Sequence, residues 1–406
     1  MNKKYLVWNV FPAYNEALKD LPWDKPLDKW QEKNFKFIDA RKSSSRHIVK
    51  FIRTKEFSFA IKQTNPISAY FESETFSKLL EAGIHTLIPA GYVIYKKHLF
   101  ESGPKPKKSQ DSDELAFMIT ILEARSIPHS ILFKWDFTKQ NRNIIYSSAA
   151  ELLADLHNKN IYWGDASLDN ILVKFIKLKD ENGKQKTELK AFLTDAETVQ
   201  LCPEINDELR NKDISSFVNS MKELNNSFVK DGIMRDKISL PEDTQYFNNE
   251  YENYLVLFKK TEEFERLTGL NIKKHFFRIT DQHSLQSILK QIEEHKWYLS
   301  ENAGKEISLK DSAVDWINSV YKPIIDEFEN FKLREYFPET NSLKLYVDIM
   351  AHKYYMSIQK NEDVGIISAI KDYSRKYSNR DENSLTRFIE KLIRKISKIV
   401  PPNYNL

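Results

Sequence analysis

The chain has 406 residues, 41% of them hydrophobic and 13% aromatic, enough to bury sizeable cores and to divide into two or three domains. Charged residues make up 30% of it but cancel to a net charge of +4, which excludes a disordered polyelectrolyte and gives no support to nucleic-acid binding by charge. The single cysteine, Cys202, excludes an internal disulfide framework and, without paired Cys/His spacings, the usual structural zinc sites; a reducing, cytoplasmic setting is expected.

Residues 1–32 read as an N-terminal extension carrying Tyr5, Trp8, Phe11, Trp23 and Trp30. Its apolar stretch is broken by Asn9 and Pro12 before it reaches signal-peptide length, and no later run approaches the roughly 18 apolar residues of a transmembrane helix. Strand character follows at Phe35 to Asp39, His47 to Arg53 and Phe57 to Gln63, the last two with the alternation of an antiparallel meander. A helix is predicted next, with Pro66 at an early position, Phe76, Leu79 and Leu80 as its apolar residues and Gly83 as its stop. Two more strands, AGYVIYKK and ELAFMITIL, flank the polar loop ESGPKPKKSQDSD. Apolar and small residues at Ile145, Ala149, Leu152, Leu153 and Leu156 predict a buried helix that leads into IYWGDASLDNILV. Beyond it ENGK signals a hairpin whose second strand ends just before Asp195.

From about residue 204 the pattern is helical and contains an internal repeat. The segment starting HKWYLSENAGK at His295 aligns without gaps with HKYYMSIQKNE at His352. This matches Trp297 with Tyr354, Ser300 with Ser357, Asp315 with Asp372 and Trp316 with Tyr373. Each copy follows a Ser-Leu start, at Ser284 and Ser342, so a separate all-α module with a duplicated unit is expected. The basic run RFIEKLIRKISKIV near the C-terminus reads as a solvated helix face before it reads as a membrane or partner surface.

The strongest block is LHNKNIYWGDASLDNILV, followed by FLTDAETV. Phosphoryl transfer requires a carboxylate to orient or deprotonate the acceptor hydroxyl and oxygen ligands to hold magnesium against the phosphates. Asp165, Asn170 and Asp195 can supply them: five residues separate the first two on one short loop, and the hairpin returns the third to the same end. Each has a plainer reading as well. Asp165 and Asn170 suit a turn, Asp195 a helix cap, and Lys62 a solvated strand. His157, His295 and His352 read as hydrogen-bonded scaffold.

With SRHIVKFIR, FAIKQT, WGDASLDN and TDAET, residues 35 to 200 resemble the protein-kinase-like superfamily, in particular its aminoglycoside-phosphotransferase and lipopolysaccharide-kinase branches. The nearest resemblance is to an uncharacterised bacterial lipopolysaccharide-kinase-like family. The resemblance implies an α+β, bilobal fold, with an antiparallel N-lobe sheet plus one helix over 33–124 and a mainly helical C-lobe over 125–270; the repeat adds a helical domain over 271–406. The resemblance also implies ATP and Mg2+, with Asp165 as the catalytic carboxylate and Asn170 and Asp195 on the metal. Lys62 would sit on the phosphates, paired with Glu72 or, failing that, Glu74. Ile119 to Ser126 would carry the hinge, with Leu122 and Ala124 meeting adenine through backbone groups.

Several positions depart from the pattern. The loop ARKSSSRH lacks glycine, leaving Ser44, Ser45 and Arg46, with Arg41, as the expected phosphate contacts. Trp163-Gly164 replaces His-Arg, and Ala196-Glu197 replaces Phe-Gly. Ser167 stands where protein kinases have lysine and is counted with the nucleotide-contacting residues; no Ala-Pro-Glu segment follows. These departures favour a small-molecule or atypical protein acceptor. Nucleotidyl transfer by the same site, or a pseudokinase scaffold binding a protein partner through the helical domain, are the competing readings.

Overall fold

A computed structural model describes residues 7–39, 47–96, 114–123, 126–133, 138–179, 185–232, 241–276, 279, 281–330, 333, 336–337, 340 and 342–378. Arg41, Ser44, Ser45, Arg46, the 101–113 loop, Ala124, the ENGK tip and the basic C-terminal run lie outside these residues. The chain forms two compact units, Met1–Lys177 with Thr187–Leu255, and Leu178–Lys186 with Val256–Leu406.

The first unit begins with β1 (Val7–Val10), a single turn α1 (Asn15–Leu18), β2 (Lys36–Phe37), β3 (Ile48–Arg53) and β4 (Ser58–Thr64). Helix α2 (Pro66–Glu81), β5 (Pro89–Lys96) and β6 (Glu114–Ile121) follow. The strands make one six-stranded sheet in the order β1-β5-β6-β4-β3-β2, each named pair antiparallel. Helix α2 starts where the sequence sets it: the Asn65 side chain accepts from Ser68 N, Pro66 opens the first turn, and Gly83 takes φ +73° just past the end.

Residues 7–32 are a structural layer of this sheet. They supply β1 as an edge strand and pack Leu18, Trp23, Leu27 and Trp30 on one face, against Phe59 and Ile61 of β4 and Phe117 and Ile119 of β6. Trp23 is the hub: its ring meets Trp30 at 5.1 Å and Phe117 at 5.2 Å, and its indole N–H donates to Leu18 O. The close approach of β1 requires Gly91, whose φ is +126° and where an added Cβ would lie 2.1 Å from Asn9 O. Because side chains alternate along a strand, the residues of β4 between Phe59, Ile61 and Gln63 point the other way, and Lys62 emerges on the face covered by α2.

The rest of the first unit is β7 (Ser126–Pro128), a short α3 (His129–Leu132), α4 (Lys139–Asn158), β8 (Ile161–Tyr162), most of β9 (Ile171–Lys179) and of β10 (Gln185–Leu193), β11 (Gln200–Leu201), α5 (Asp207–Lys230) and the start of α6 (Pro241–Thr268). Strands β10, β9 and β7 form one small sheet and β11 pairs with β8. Ser126 thus belongs to the sheet of β9, and the strand before the hinge ends at Ile121. Helix α4 is longer than its apolar spacing suggests because Thr138 caps it at Asn141 N.

The second unit contains α7 (Ile272–His275), α8 (Gln282–Ala303), α9 (Leu309–Trp316), a π-helical turn, α10 (Lys322–Asn330), α11 (Ser342–Lys360) and α12 (Gly365–Tyr377). The duplication is visible bond by bond. His295 meets Asp315 at 2.7 Å and His352 meets Asp372 at 2.8 Å. Ser300 Oγ accepts from Ile307 N and Ser357 Oγ from Val364 N, while Lys296 pairs with Glu306 and Lys353 with Asp363. Even the left-handed residue ending each long helix recurs, as Gly304 at φ +62° and Asn361 at φ +55°. Each copy is therefore a helical hairpin tied by one His–Asp contact.

Candidate active site

Lys62 lies on β4, flanked by Val49 of β3 and Met118 of β6, so its backbone is held on both sides. Its ammonium meets three carboxylates: Glu72 of α2 at 3.2 Å, Asp195 at 3.2 Å and Glu197 at 2.9 Å. Glu72, on the inner face of α2, takes this contact rather than Glu74. Asp195 reaches the site because β10 ends at Leu193, whose N–H and O are held by His85 O and Thr86 Oγ1. One residue later Thr194 N donates to Asn170 O at 3.1 Å, so the strand end carrying Asp195 is hydrogen-bonded to the loop carrying Asn170. The two segments are therefore adjacent at that point.

Asn170 closes its own loop. Its Nδ2 donates at 3.1 Å to both the main-chain O and the Oδ2 of Asp165, and its N–H donates to Ser167 O. The half-buried Ser167 therefore contributes to the turn through its carbonyl. Leu122 N donates to Ser58 O, so this N–H is committed within the protein.

Two residues that sequence reasoning passed over complete the site. Asp213 of α5, 1% exposed, accepts from Trp163 N and Gly164 N at 2.8 Å each and contacts His157 Nε2 at 3.1 Å. His157 in turn meets Tyr251 Oη through Nδ1 at 2.8 Å, so it is a buried strut, as its position at a helix end suggested. The available signal was an aspartate on the apolar face of α5, in register with Phe217 and Met221. The other residue is Glu197, whose carboxylate is shared by Lys62 and His47, the latter at 3.3 Å.

Gly164 is required by geometry. It has φ +83°, and an added Cβ would stand 2.9 Å from Thr198 O. Thr198 Oγ1 also donates to Trp163 O, and Trp163 Nε1 donates to Asp195 O, so the Trp-Gly-Asp and Asp-Ala-Glu segments are stitched together.

One ammonium among three carboxylates leaves an excess of negative charge. Burial, joined by the charges of Asp195 and Glu197, pushes Glu72 up to about 8 against the pull of Lys62. Burial works to lower Lys62, but Glu72, Asp195 and Glu197 outweigh it and lift the ammonium to about 12. Glu197 is held below the ordinary carboxylate range: burial opposes this, and Lys62 and His47 overcome it.

A hard divalent cation fits this donor set. Asp195 offers carboxylate oxygen, and Asn170, its amide nitrogen committed to Asp165, has its carbonyl oxygen left to offer. Among the described residues no group of three or more His, Cys, Asp or Glu is arranged to hold a metal unaided. The pair suits an ion that arrives with ligands of its own.

A family described as "Domain of unknown function (DUF4032)" matches residues 310–377, within the second unit. No curated protein matches the sequence. Among solved structures, WaaP in complex with acyl carrier protein is 13% identical, with a TM-score of 0.37 over 63% of this chain and 98% of that chain. An aminoglycoside-3'-phosphotransferase of type VIII is 14% identical, with a TM-score of 0.35 over 61% and 98%. The Rio2 kinase from Chaetomium thermophilum, in an ADP/Mg2+-phosphoaspartate complex, is 10% identical, with a TM-score of 0.33 over 61% and 74%. At such TM-scores these likenesses carry no argument. The α+β character of this chain is seen in its own antiparallel sheet, helices and loops.

Proposed function

We propose that the chain is an ATP- and Mg2+-dependent phosphotransferase acting on a hydroxyl acceptor, a small molecule or an atypical protein substrate, in the cytoplasm. The observation that carries this reading is the meeting of Lys62, Glu72 and Asp195, three residues from three segments, beside the loop that holds Asp165 and Asn170. Lys62, steadied by Glu72, binds phosphate oxygens; Asn170 and Asp195 would hold the metal, which would supply neutralisation of phosphate charge. Asp165, oriented by the Asn170 amide, accepts the proton of the acceptor hydroxyl. Asp213 fixes the Trp163-Gly164 backbone and so the direction in which Asp165 leaves the chain. The repeat module is the part of the molecule we assign to a protein partner.

The test uses ATP labelled on the γ or the α phosphate, with magnesium and the full chain. Transfer or release of the γ label is expected. Transfer of the α label would replace this reading by nucleotidyl transfer. No label moved, with melting unchanged by ATP, would leave a scaffold.

A further inference from the structure

An ammonium has three N–H donors and no acceptor, and Lys62 presents all three to carboxylates. A nucleotide phosphate can reach Lys62 only if one of them lets go. Glu72 is 2% exposed and fixed on the inner face of α2, so it stays. Asp195 accepts Glu197 N on its Oδ1 and follows Thr194, which is bonded to Asn170, so in the reading above a metal would hold it in place. Glu197 differs from both. It follows the strand end on a turn, it has no place among the groups assigned to the metal, and its contact with Lys62 is the shortest of the three. The same oxygen also receives His47 Nε2 at 3.3 Å and Thr64 Oγ1 at 3.5 Å. It therefore gathers donors from the ends of β3 and β4 in the way a phosphate oxygen would.

We propose that Glu197 is an internal stand-in for nucleotide phosphate at Lys62, displaced from the lysine each time a nucleotide binds. The idea rests on the phosphotransferase reading above and adds a residue to it. Its consequence is an affinity set partly by competition: the binding-competent state is the fraction of molecules in which Glu197 has released Lys62.

The experiment measures Mg2+–ATP binding to the full-length protein by calorimetry, comparing wild type with Glu197→Gln and Glu197→Asp. The Gln variant is expected to bind about fivefold more tightly, the scale of one partly exposed ion pair. The Asp variant, which keeps the charge but loses one methylene of reach, is expected to fall between. The KM for ATP should drop in the same order, a change that loss of a merely structural contact would not produce. Unchanged or weaker binding in Glu197→Gln, with wild type binding normally, would overturn the stand-in and leave the phosphotransferase reading in place. No binding by wild type and variants alike would remove that reading and this inference together.

Discussion

Both units of the protein use a histidine paired with an aspartate, and they use it for different ends. In the first unit His157 and Asp213 are almost wholly buried, and Asp213 spends its second oxygen and part of its first on the backbone of the loop that carries Asp165. In the second unit His295–Asp315 and His352–Asp372 join the two helices of each repeat, with the aspartates more exposed. The chemistry of the pair is the same, and its surroundings assign the role. A pair that also holds main-chain N–H groups at the edge of a site positions that site; a pair repeated on each hairpin holds a scaffold.

The contrast can be broken most sharply at the carboxylate that Asp213 is argued to direct. Asp165→Asn is expected to lower phosphoryl transfer by about 10² to 10⁴-fold while nucleotide binding and melting temperature hold, as read by turnover, calorimetry and thermal denaturation in parallel. Next comes the pair itself. Asp213→Ala orphans two backbone N–H groups and an imidazole in the interior, so denaturant unfolding should show a loss of about 3 to 5 kcal/mol. In Asp315→Ala, whose carboxylate is half exposed, the loss should stay near or below about 1 kcal/mol, with transfer unaffected. Equal losses would erase the distinction drawn between the units.

A smaller effect is expected at Gly164. Alanine there must adopt a positive φ and meet Thr198 O, which should cost about 1 to 3 kcal/mol by chemical denaturation and displace Asp165. Another effect is in pH. Glu72 binds its proton more tightly in the folded protein, at about 8 against an ordinary 4.5, so the contribution is complete below about 4.5 and is lost as the pH rises to about 8. The raised Lys62 ammonium acts above that window. Calorimetric melting of Glu72→Gln should therefore show a flatter stability profile between those pH values than the wild type.

Much of the candidate site was legible because its signals are local. The five-residue step from Asp165 to Asn170 is a property of one turn, and strand alternation decides that Lys62 and not its neighbours faces α2. The duplicated module was legible for a similar reason, since aligned residues such as Ser300 and Ser357 make aligned bonds. The N-terminal segment was harder to read. Its tryptophans look like an extension until β1 is seen paired with β5 and Trp23 is seen packed on Phe117.

The sequence by itself determined the Asp165–Asn170 spacing, the helix start at Pro66 and its stop at Gly83, and the repeat, because capping, turn chemistry and side-chain period act within a few residues. Only the tertiary structure decided that Glu197 would meet Lys62, that Asp213 would hold the Trp163-Gly164 backbone, and that residues 7–32 would roof the sheet. Lys62 and Asp195 stand 133 residues apart, and a contact across such a separation is made by the packing of sheet, helix and hairpin together. No pattern along the chain encodes it, because burial and charge are properties of the neighbours that folding brings near.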